Sequence, residues 1–318
     1  MTVTFIAHSA YLVEWDKFYT LFDYTYEPDY TGALPELNPD KPLLVFASHS
    51  HEDHFDAKVF TLLEKYPDAR FFVSRDTRLT ERKRQWLNIS DEAFARTTVL
   101  RPDSILLTDV AGEDLSIRAI KSTDIGNAYL LRAEGKMVYH GGDLNWWNWE
   151  SEGKAYCNNM TVHYHAAIEK LASAVRNEAT DNNIAPEITA AMAPLDPRLG
   201  EGSEGLGIEY LLKNVSVRHV FPMHMWKKYE VIDRYIAALV NFYEWLVIIW
   251  CFMSWFPLRE GSLMYDVAVV IDRIVSPYMN LFRRFIPPLG GMDFSPMIAL
   301  FVLVAAERAL FQLLFALA

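Results

Sequence analysis

A chain of 318 residues is long enough for two domains, and its formal charge of −11 sets limits on what it binds. An acidic balance argues against a nucleic-acid surface, so no nucleic-acid partner is expected. The two cysteines, Cys157 and Cys251, lie in different regions and imply no disulfide framework.

From the N-terminus, Met1–His8 lacks the basic region and long apolar core of a signal peptide, which assigns the first domain to the cytosol by default. Residues 2–22 read as two or three short strands: Val3, Phe5, Tyr11 and Val13 alternate with polar or small residues, and Lys17–Phe22 is β-rich. His8 ends the first strand and Asp23 the third. Four prolines make residues 27–42 a loop. A short apolar strand, Leu43–Phe46, then opens into Ser48–Phe55. Ala57–Lys65 predicts a helix, Arg70–Val73 a strand, and Leu79–Trp86 a charged helix. Strands follow around Ser104–Leu107, Leu115–Ile120, Tyr129–Arg132 and Met137–Tyr139. Thr161–Asn177 predicts a helix, Ile188–Ala191 a strand, Gly207–Lys213 a helix end and His219–Phe221 a last strand. This order suits an α/β domain of two packed sheets with helices outside.

Past Arg234 the texture changes, and acidic and basic residues balance there, so the whole net charge lies in residues 1–233. Tyr235–Phe256 and Met297–Ala318 are each long and apolar enough to cross a hydrocarbon core of about 30 Å as a helix. A pair of buried helices in a soluble domain is the competing reading. Between them, Val267–Ile286 carries Asp272, Arg273, Arg283 and Arg284 among apolar residues and reads as an interfacial amphipathic segment, broken by Pro287-Pro288 and Gly290-Gly291. The domains are therefore set at 1–233 and 234–318.

The chemistry concentrates in Ser48–Phe55, where His49, His51, Asp53 and His54 fall within six residues. Imidazole suits zinc, iron or manganese, and an interleaved carboxylate lets two ions share one loop. His49 and His51 share one face of an extended backbone, and Asp53 and His54 follow where the chain turns. Asp143 stands at a strand end after Gly141-Gly142, and His224 at another after Pro222-Met223. Six such residues on one rim could hold two ions, bridged by Asp143, with a hydroxide between them as nucleophile. His140 reads as support behind the ligands. His8 either lines the pocket or is satisfied by backbone. Trp146, Trp147 and Trp149 read as core in preference to a substrate wall. His163 and His165 read as exposed, and His219 as a structural strand residue.

These motifs resemble the metallo-β-lactamase superfamily: His-x-His-x-Asp-His after a strand, a later Gly-Gly-Asp and a late Pro-Met-His. Phe5-Ile-Ala-His8-Ser, Tyr139-His140-Gly-Gly-Asp143 and Phe221-Pro-Met-His224 resemble the branch containing ascorbate-6-phosphate lactonase-like hydrolases. Ser122-Thr123-Asp124 and Asp196-Pro197-Arg198-Leu199-Gly200 resemble an uncharacterised bacterial subgroup of it. Over about residues 1–230 the resemblance implies an αββα four-layer sandwich with a dinuclear site at one edge. It gives His49 and His51 to the first ion, Asp53, His54 and His224 to the second, and Asp143 to both. Asp53 and Asp143 are then the catalytic carboxylates, and the ions are two divalent metals, zinc by preference, with manganese or iron as alternatives. One departure stands out: the superfamily usually supplies another histidine to the first ion, and none occurs between His54 and His140. Either Asp124 substitutes, which favours harder ions, or the site works with one metal.

Ser254-Trp-Phe-Pro257 and the run from Ser276 to Pro296 resemble the YggT family of small bacterial membrane proteins, over about residues 235–318. That implies an all-α, two-helix transmembrane unit whose partner is membrane lipid. Lys227, Lys228 and Arg234 place its N-terminal side in the cytoplasm, while Arg273, Arg283 and Arg284 pull the loop the same way; a re-entrant or surface-lying loop reconciles them. The expected whole is a hydrolase of an ester, lactone or phosphoester small molecule, held at the cytoplasmic membrane with its catalytic domain in the cytoplasm. The alternative is a non-catalytic sandwich serving the membrane unit as sensor or assembly module.

Overall fold

The computed structural model describes residues 1–256, 259–286 and 293–317, with side chains as far as 312. The expected break at Pro287-Pro288 and Gly290-Gly291, and Ala318 at the end of the second expected span, lie outside the described residues. The chain divides into two compact units, with the boundary between Lys227 and Lys228.

The first unit holds two six-stranded sheets. One contains β1 (Thr2–Ala7), β2 (Ala10–Glu14), β3 (Tyr19–Phe22), β4 (Leu43–Ala47), β5 (Arg70–Ser74) and β6 (Thr97–Leu100) in sequence order. The other contains β7 (Ile105–Val110), β8 (Glu113–Lys121), β9 (Asn127–Ala133), β10 (Lys136–His140), β11 (Ala190–Pro194) and β12 (Val220–Met223), also side by side in order. Each sheet starts as an antiparallel meander and finishes in parallel strands, β3 to β6 and β10 to β12. Parallel strands need crossovers, and these supply the helices. They are α1 (Leu62–Lys65), α2 (Glu81–Trp86) and α3 (Asp91–Ala95) for the first sheet, and α4 (Lys154–Asn182) and α5 (Leu206–Asn214) for the second.

Strand β4 shows why the sandwich has four layers. All five of its residues are buried, so its apolar run has no polar face. Leu44 and Phe46 enter the core between the sheets, beside Phe22, Phe72, Tyr129 and Val138. Leu43, Val45 and Ala47 point the other way, into the layer beneath α1 and α3. The second sheet does the same, with Leu130 and Tyr139 turned toward Ile168, Leu171 and Val175 of α4. The arrangement is the αββα sandwich expected from the motifs.

Differences in detail have simple causes. Ala57–Lys65 is a 3-10 turn, Ala57–Thr61, before α1. Neither β6 nor α3 was expected: β6 is a half-exposed edge strand with no apolar alternation to read.

Helix α4 is tied to its sheet by a buried carboxylate. Glu178 accepts hydrogen bonds from Ser116 Oγ (2.7 Å), Arg118 Nε (2.5 Å) and Arg132 Nε (3.3 Å). Burial pushes its pKa up, but Ser116 and the two guanidiniums outweigh that and hold it below the ordinary value. Its stabilisation is therefore present above the usual carboxylate range and is lost as pH falls through the lowered native value. Glu178→Gln should cost about 3 kcal/mol at neutral pH, the low end of the range for a broken buried pair, because both arginines keep some solvent contact. Urea titrations of wild type and variant should begin to converge as pH falls below about 5, through the lowered native value; a gap that stays constant with pH would remove the charge from the explanation.

The second unit is three helices, α6 (Glu230–Met253), α7 (Leu263–Arg283) and α8 (Ser295–Leu317). Each touches the other two, around Val247, Ile271, Val275, Met279 and Ala299. The expected interfacial segment is thus a regular helix, α7, whose Ile271, Val275 and Met279 recur every four residues along the packed face. Two helices, Glu230–Met253 and Ser295–Gln312, are long and apolar enough to cross a membrane. They leave Leu239, Phe242, Trp245, Phe252, Met297 and Phe301 exposed.

Candidate metal centre

The site grows from the C-terminal ends of the parallel strands. Register places Phe22 of β3 against Phe46 of β4, so Asp23 and Ser48 emerge side by side. Asp23 Oδ1 accepts the Ser48 amide (2.7 Å), and Oδ2 accepts the Ser48 hydroxyl (2.7 Å) and His54 Nδ1–H (2.7 Å). The chain reverses beyond His49, where the amides of His54 and Phe55 both donate to His51 O (3.0 and 2.8 Å). That turn brings His54 back under β3.

Opposite, the Gly141-Gly142 turn after β10 presents Asp143. Gly142 sits at φ 50°, and a Cβ there would meet Ser48 Cβ at 2.6 Å and Asn127 O at 2.9 Å. Only glycine lets this turn approach the histidine loop so closely. His140 fixes the turn from behind: Nε2–H donates to Ser9 O (2.9 Å), Nδ1 accepts from the Gly142 amide (3.2 Å), and the ring stacks on Phe22. Both its nitrogens are occupied, and burial lowers its pKa, so it stays neutral and supports the loop.

Three histidines are held in one tautomer. The Ser48 hydroxyl has one proton, given to Asp23, so His49 Nδ1 must donate to Ser48 Oγ (2.9 Å). His54 Nδ1 donates to Asp23, and His224 Nδ1 to Asp196 Oδ2 (3.0 Å). In the neutral ring each therefore carries its lone pair on the inward-facing Nε2, the arrangement in which imidazole ligates a metal. Asp196 is held in turn by Arg198 and by Trp226 Nε1 (3.2 Å); burial raises its pKa, but His224 and Arg198 bring it to about 2.

The inward atoms form two groups. In one, ligand atoms of His8, Asp53, His54 and His224 lie within 4.8 Å of one another; in the other, so do those of His49, His51 and Asp143. Asp143 touches both, with Oδ2 3.4 Å from His49 Nε2 and Oδ1 3.1 Å from His54 Nε2 and 3.3 Å from His224 Nε2. His54 Nε2, His224 Nε2 and Asp143 Oδ1 are buried and take no hydrogen bond. Three converging lone-pair donors with nothing between them fit a cation.

The electrostatics agree. Burial would raise the pKa of Asp143, but the charges of His54 and His224 hold it well below the carboxylate range. Burial likewise opposes ionisation of Asp53, and contacts from His224, His54 and His8 reverse that. Burial pulls His54 down, while Asp143 and Asp23 push it well above its ordinary value. The carboxylates demand positive charge at the centre, which either histidine protons or a divalent ion supplies.

His8 is the residue sequence reasoning undervalued. It was expected to line the pocket or bond backbone, yet its Nε2 is 3.2 Å from Asp53 Oδ2 inside the first group. Its φ is 45°, that of Asp23 is 46° and that of His224 is 66°. Left-handed backbone at three strand ends is tolerated by Asp and His, and it turns each side chain inward. No local pattern announces such a turn. Asp124 lies 4.0 Å from His51, is partly exposed and stands outside both groups.

A cleft of about 710 Å3 opens over the centre. Tyr30, Trp147, Trp149, Tyr156 and Trp226 wall it, with Asp53, Asp143 and His224 at its floor. Trp147 is buried in a small apolar cluster with Met160 and Leu199, and Trp149 packs against it, so the expected core role holds, but both rings also line the cleft; Trp146 joins the core beside Tyr164 and Tyr210. His165 is also corrected: its ring stacks on Tyr210 with centroids 3.8 Å apart. His163 is exposed as expected, and His219 is exposed just ahead of β12.

The first unit is a four-layer αββα sandwich, the fold that the resemblance implied, with a candidate metal centre at its rim. Residues 230–314 match the CCB3/YggT family model. The uncharacterized protein ycf19 of Porphyra purpurea is 35% identical over 68 residues, covering 21% of this chain and 70% of that one. The chain therefore belongs to the CCB3/YggT family through its C-terminal unit. It is also 35% identical over 75 residues to YlmG homolog protein 2, chloroplastic, of Arabidopsis thaliana, covering 24% of this chain and spanning only 28% of that protein. Among solved structures, Igni18, a metallo hydrolase from Ignicoccus hospitalis, is 18% identical with a TM-score of 0.40, covering 70% of this chain and 81% of that one. A Zn-dependent hydrolase of the metallo-beta-lactamase superfamily from Thermotoga maritima is 14% identical with a TM-score of 0.33, covering 70% and 74%.

Proposed function

We propose that the chain is a metal-dependent hydrolase of an ester, lactone or phosphoester, held at a membrane by α6 and α8. The observation that carries this reading is the convergence of the unpartnered His54 Nε2, His224 Nε2 and Asp143 Oδ1 at the floor of an open cleft. A divalent ion held there would lower the pKa of water toward neutrality and polarise a carbonyl or phosphoryl oxygen. His8, Asp53, His54 and His224 would hold one such ion, and His49 and His51 another, with Asp143 shared. Asp124, 4.0 Å from His51, would add an oxygen ligand to the ion held by His49 and His51, and oxygen there would favour manganese or iron over zinc.

The chain's own residues would then do the following. Asp23 and Asp196 keep His54 and His224 in the ligating tautomer. The aromatic walls bind the body of the substrate and exclude water from its reacting bond. Asp53 Oδ2 lies 3.2, 3.4 and 3.6 Å from the Nε2 atoms of His8, His54 and His224, which fixes this carboxylate in its ionised form at the cleft floor. The long apolar helices favour anchorage at a membrane, with the first unit on its cytoplasmic side.

Metal analysis of the purified chain tests this directly. At least about one divalent ion per chain is expected from a closed His/Asp shell, with hydrolysis somewhere in a panel of esters, lactones and phosphodiesters. A metal content near zero, unchanged by His54→Ala, would sink the reading. Bound metal with no turnover across the panel would instead favour a sensor or assembly module for the helical unit.

A further inference from the structure

We propose that Arg198 is a binding residue for an anionic group, carboxylate or phosphoryl, on the non-reacting part of the substrate. This rests on the hydrolase reading of the cleft and specifies which substrates it takes.

Arg198 is the only Lys or Arg among the described residues lining the cleft, where Glu52, Asp53, Asp124 and Asp143 supply the opposite charge. Its guanidinium is committed on one side only. Nε donates to Asp196 Oδ1 and Oδ2 (2.9 and 3.0 Å) and Nη2 to Oδ2 (2.5 Å), while Nη1 takes no hydrogen bond among the described residues. The plane is fixed against aromatic rings, 4.0 Å from the Trp226 centroid and 5.7 Å from that of Trp149. The side chain keeps 38% of its exposure, so the unused edge opens into the cleft.

A residue needed only to neutralise Asp196 would gain nothing from two flanking indoles or an open edge. A clamped guanidinium with two free N–H groups is instead a ready fork for oxyanions, because its rotamer entropy is already lost. Its location follows from Asp196, whose Oδ2 accepts from both Arg198 and His224. An anion on Arg198 therefore lies one carboxylate away from a metal-facing histidine. The parallel Trp147 and Trp149 rings, 3° apart in plane, offer the neighbouring flat apolar surface. The substrate this describes has an anionic group and a flat or apolar body, with its scissile bond between them and the centre.

The test uses the full chain, metal-loaded and in detergent, with the cleft tryptophans as fluorescent reporters. Benzoate and phenylphosphonate should bind at least about tenfold more tightly than benzyl alcohol, as expected for a charge-assisted fork. Arg198→Gln should abolish that preference while leaving benzyl alcohol binding unchanged, which shows the wall intact; Arg198→Lys should restore part of it. The stronger of the two anions identifies carboxylate or phosphoryl as the natural group. Anion binding that survives Arg198→Gln, or a wild type indifferent to charge, overturns the proposal. An Arg198-dependent preference in a chain that hydrolyses nothing would sink the hydrolase reading and keep this one. Turnover that ignores substrate charge would do the reverse.

Discussion

Asn in place of Asp143 is expected to remove hydrolysis almost completely while leaving the fold intact. The two side chains are the same size, so shape is preserved and one negative charge is lost. That charge is the one in contact with both ligand groups, through His49 on one oxygen and His54 and His224 on the other. An amide also aims an N–H at one of these groups, where lone pairs already converge. An ion's Lewis-acid contribution amounts to several kcal/mol, so the loss should be roughly a thousandfold or more in kcat/KM. Bound metal should fall in parallel. Near-UV circular dichroism checks the fold, and elemental analysis checks the metal. Activity within a few-fold of wild type would mean that Asp143 does not join the groups, and the two-ion reading would fall with it.

How much of this was legible in the sequence differs by residue. His49, His51, Asp53 and His54 were readable because ligand and spacing lie within one loop, and Asp143 and His224 because each follows a recognisable strand end. The residues that orient them were not. Asp23 matters only because β3 pairs with β4 in a register that sets it beside Ser48, a relation between residues 25 apart in the chain. Asp196 belonged to a motif that could be quoted, but its hydrogen bond to His224 depends on β11 and β12 running parallel. His8 required knowing that its backbone turns left-handed. The Trp146-Trp147-x-Trp149 run shows the same limit, since all three indoles pack in apolar clusters but only Trp147 and Trp149 also line the cleft. Composition could not sort them. The layers were legible from the order of strands and helices and from the family resemblance, and β4 and β9, buried along almost their whole length, show the same layering in the structure; β6, half exposed at an edge, carried no signal to read.

The gap noticed in the sequence has a physical counterpart. The group of His8, Asp53, His54 and His224 offers four side chains, with all but Asp53 almost fully enclosed. The group of His49, His51 and Asp143 offers three, and His51 keeps half its side-chain exposure. Affinity for the two ions should therefore differ, with the ion beside His54 the last to leave under a chelator.

The second large effect should come from a residue that touches no ion. Asp23 is fully enclosed and accepts three donors, the Ser48 amide, the Ser48 hydroxyl and His54 Nδ1–H. Burial alone would raise its pKa, but His140 and His54 keep the carboxyl below its ordinary value. An asparagine offers one acceptor oxygen, and its amide nitrogen would face a donor. In Asp23→Asn, therefore, His54 loses the partner that fixes its tautomer, and the Ser48 hydroxyl is free to turn toward His49 Nδ1. Both histidines could then present a proton, not a lone pair, to the centre. Loss of such an orienting carboxylate typically weakens metal affinity about 10- to 100-fold, and the stranded donors should cost about 1–3 kcal/mol of stability. Competition against a chelator measures the first effect and thermal melting of the metal-free chain the second. A variant that melts lower but binds metal as tightly as wild type would reduce Asp23 to a structural residue; one that loses metal without melting lower would place its whole effect on the two histidines it aims.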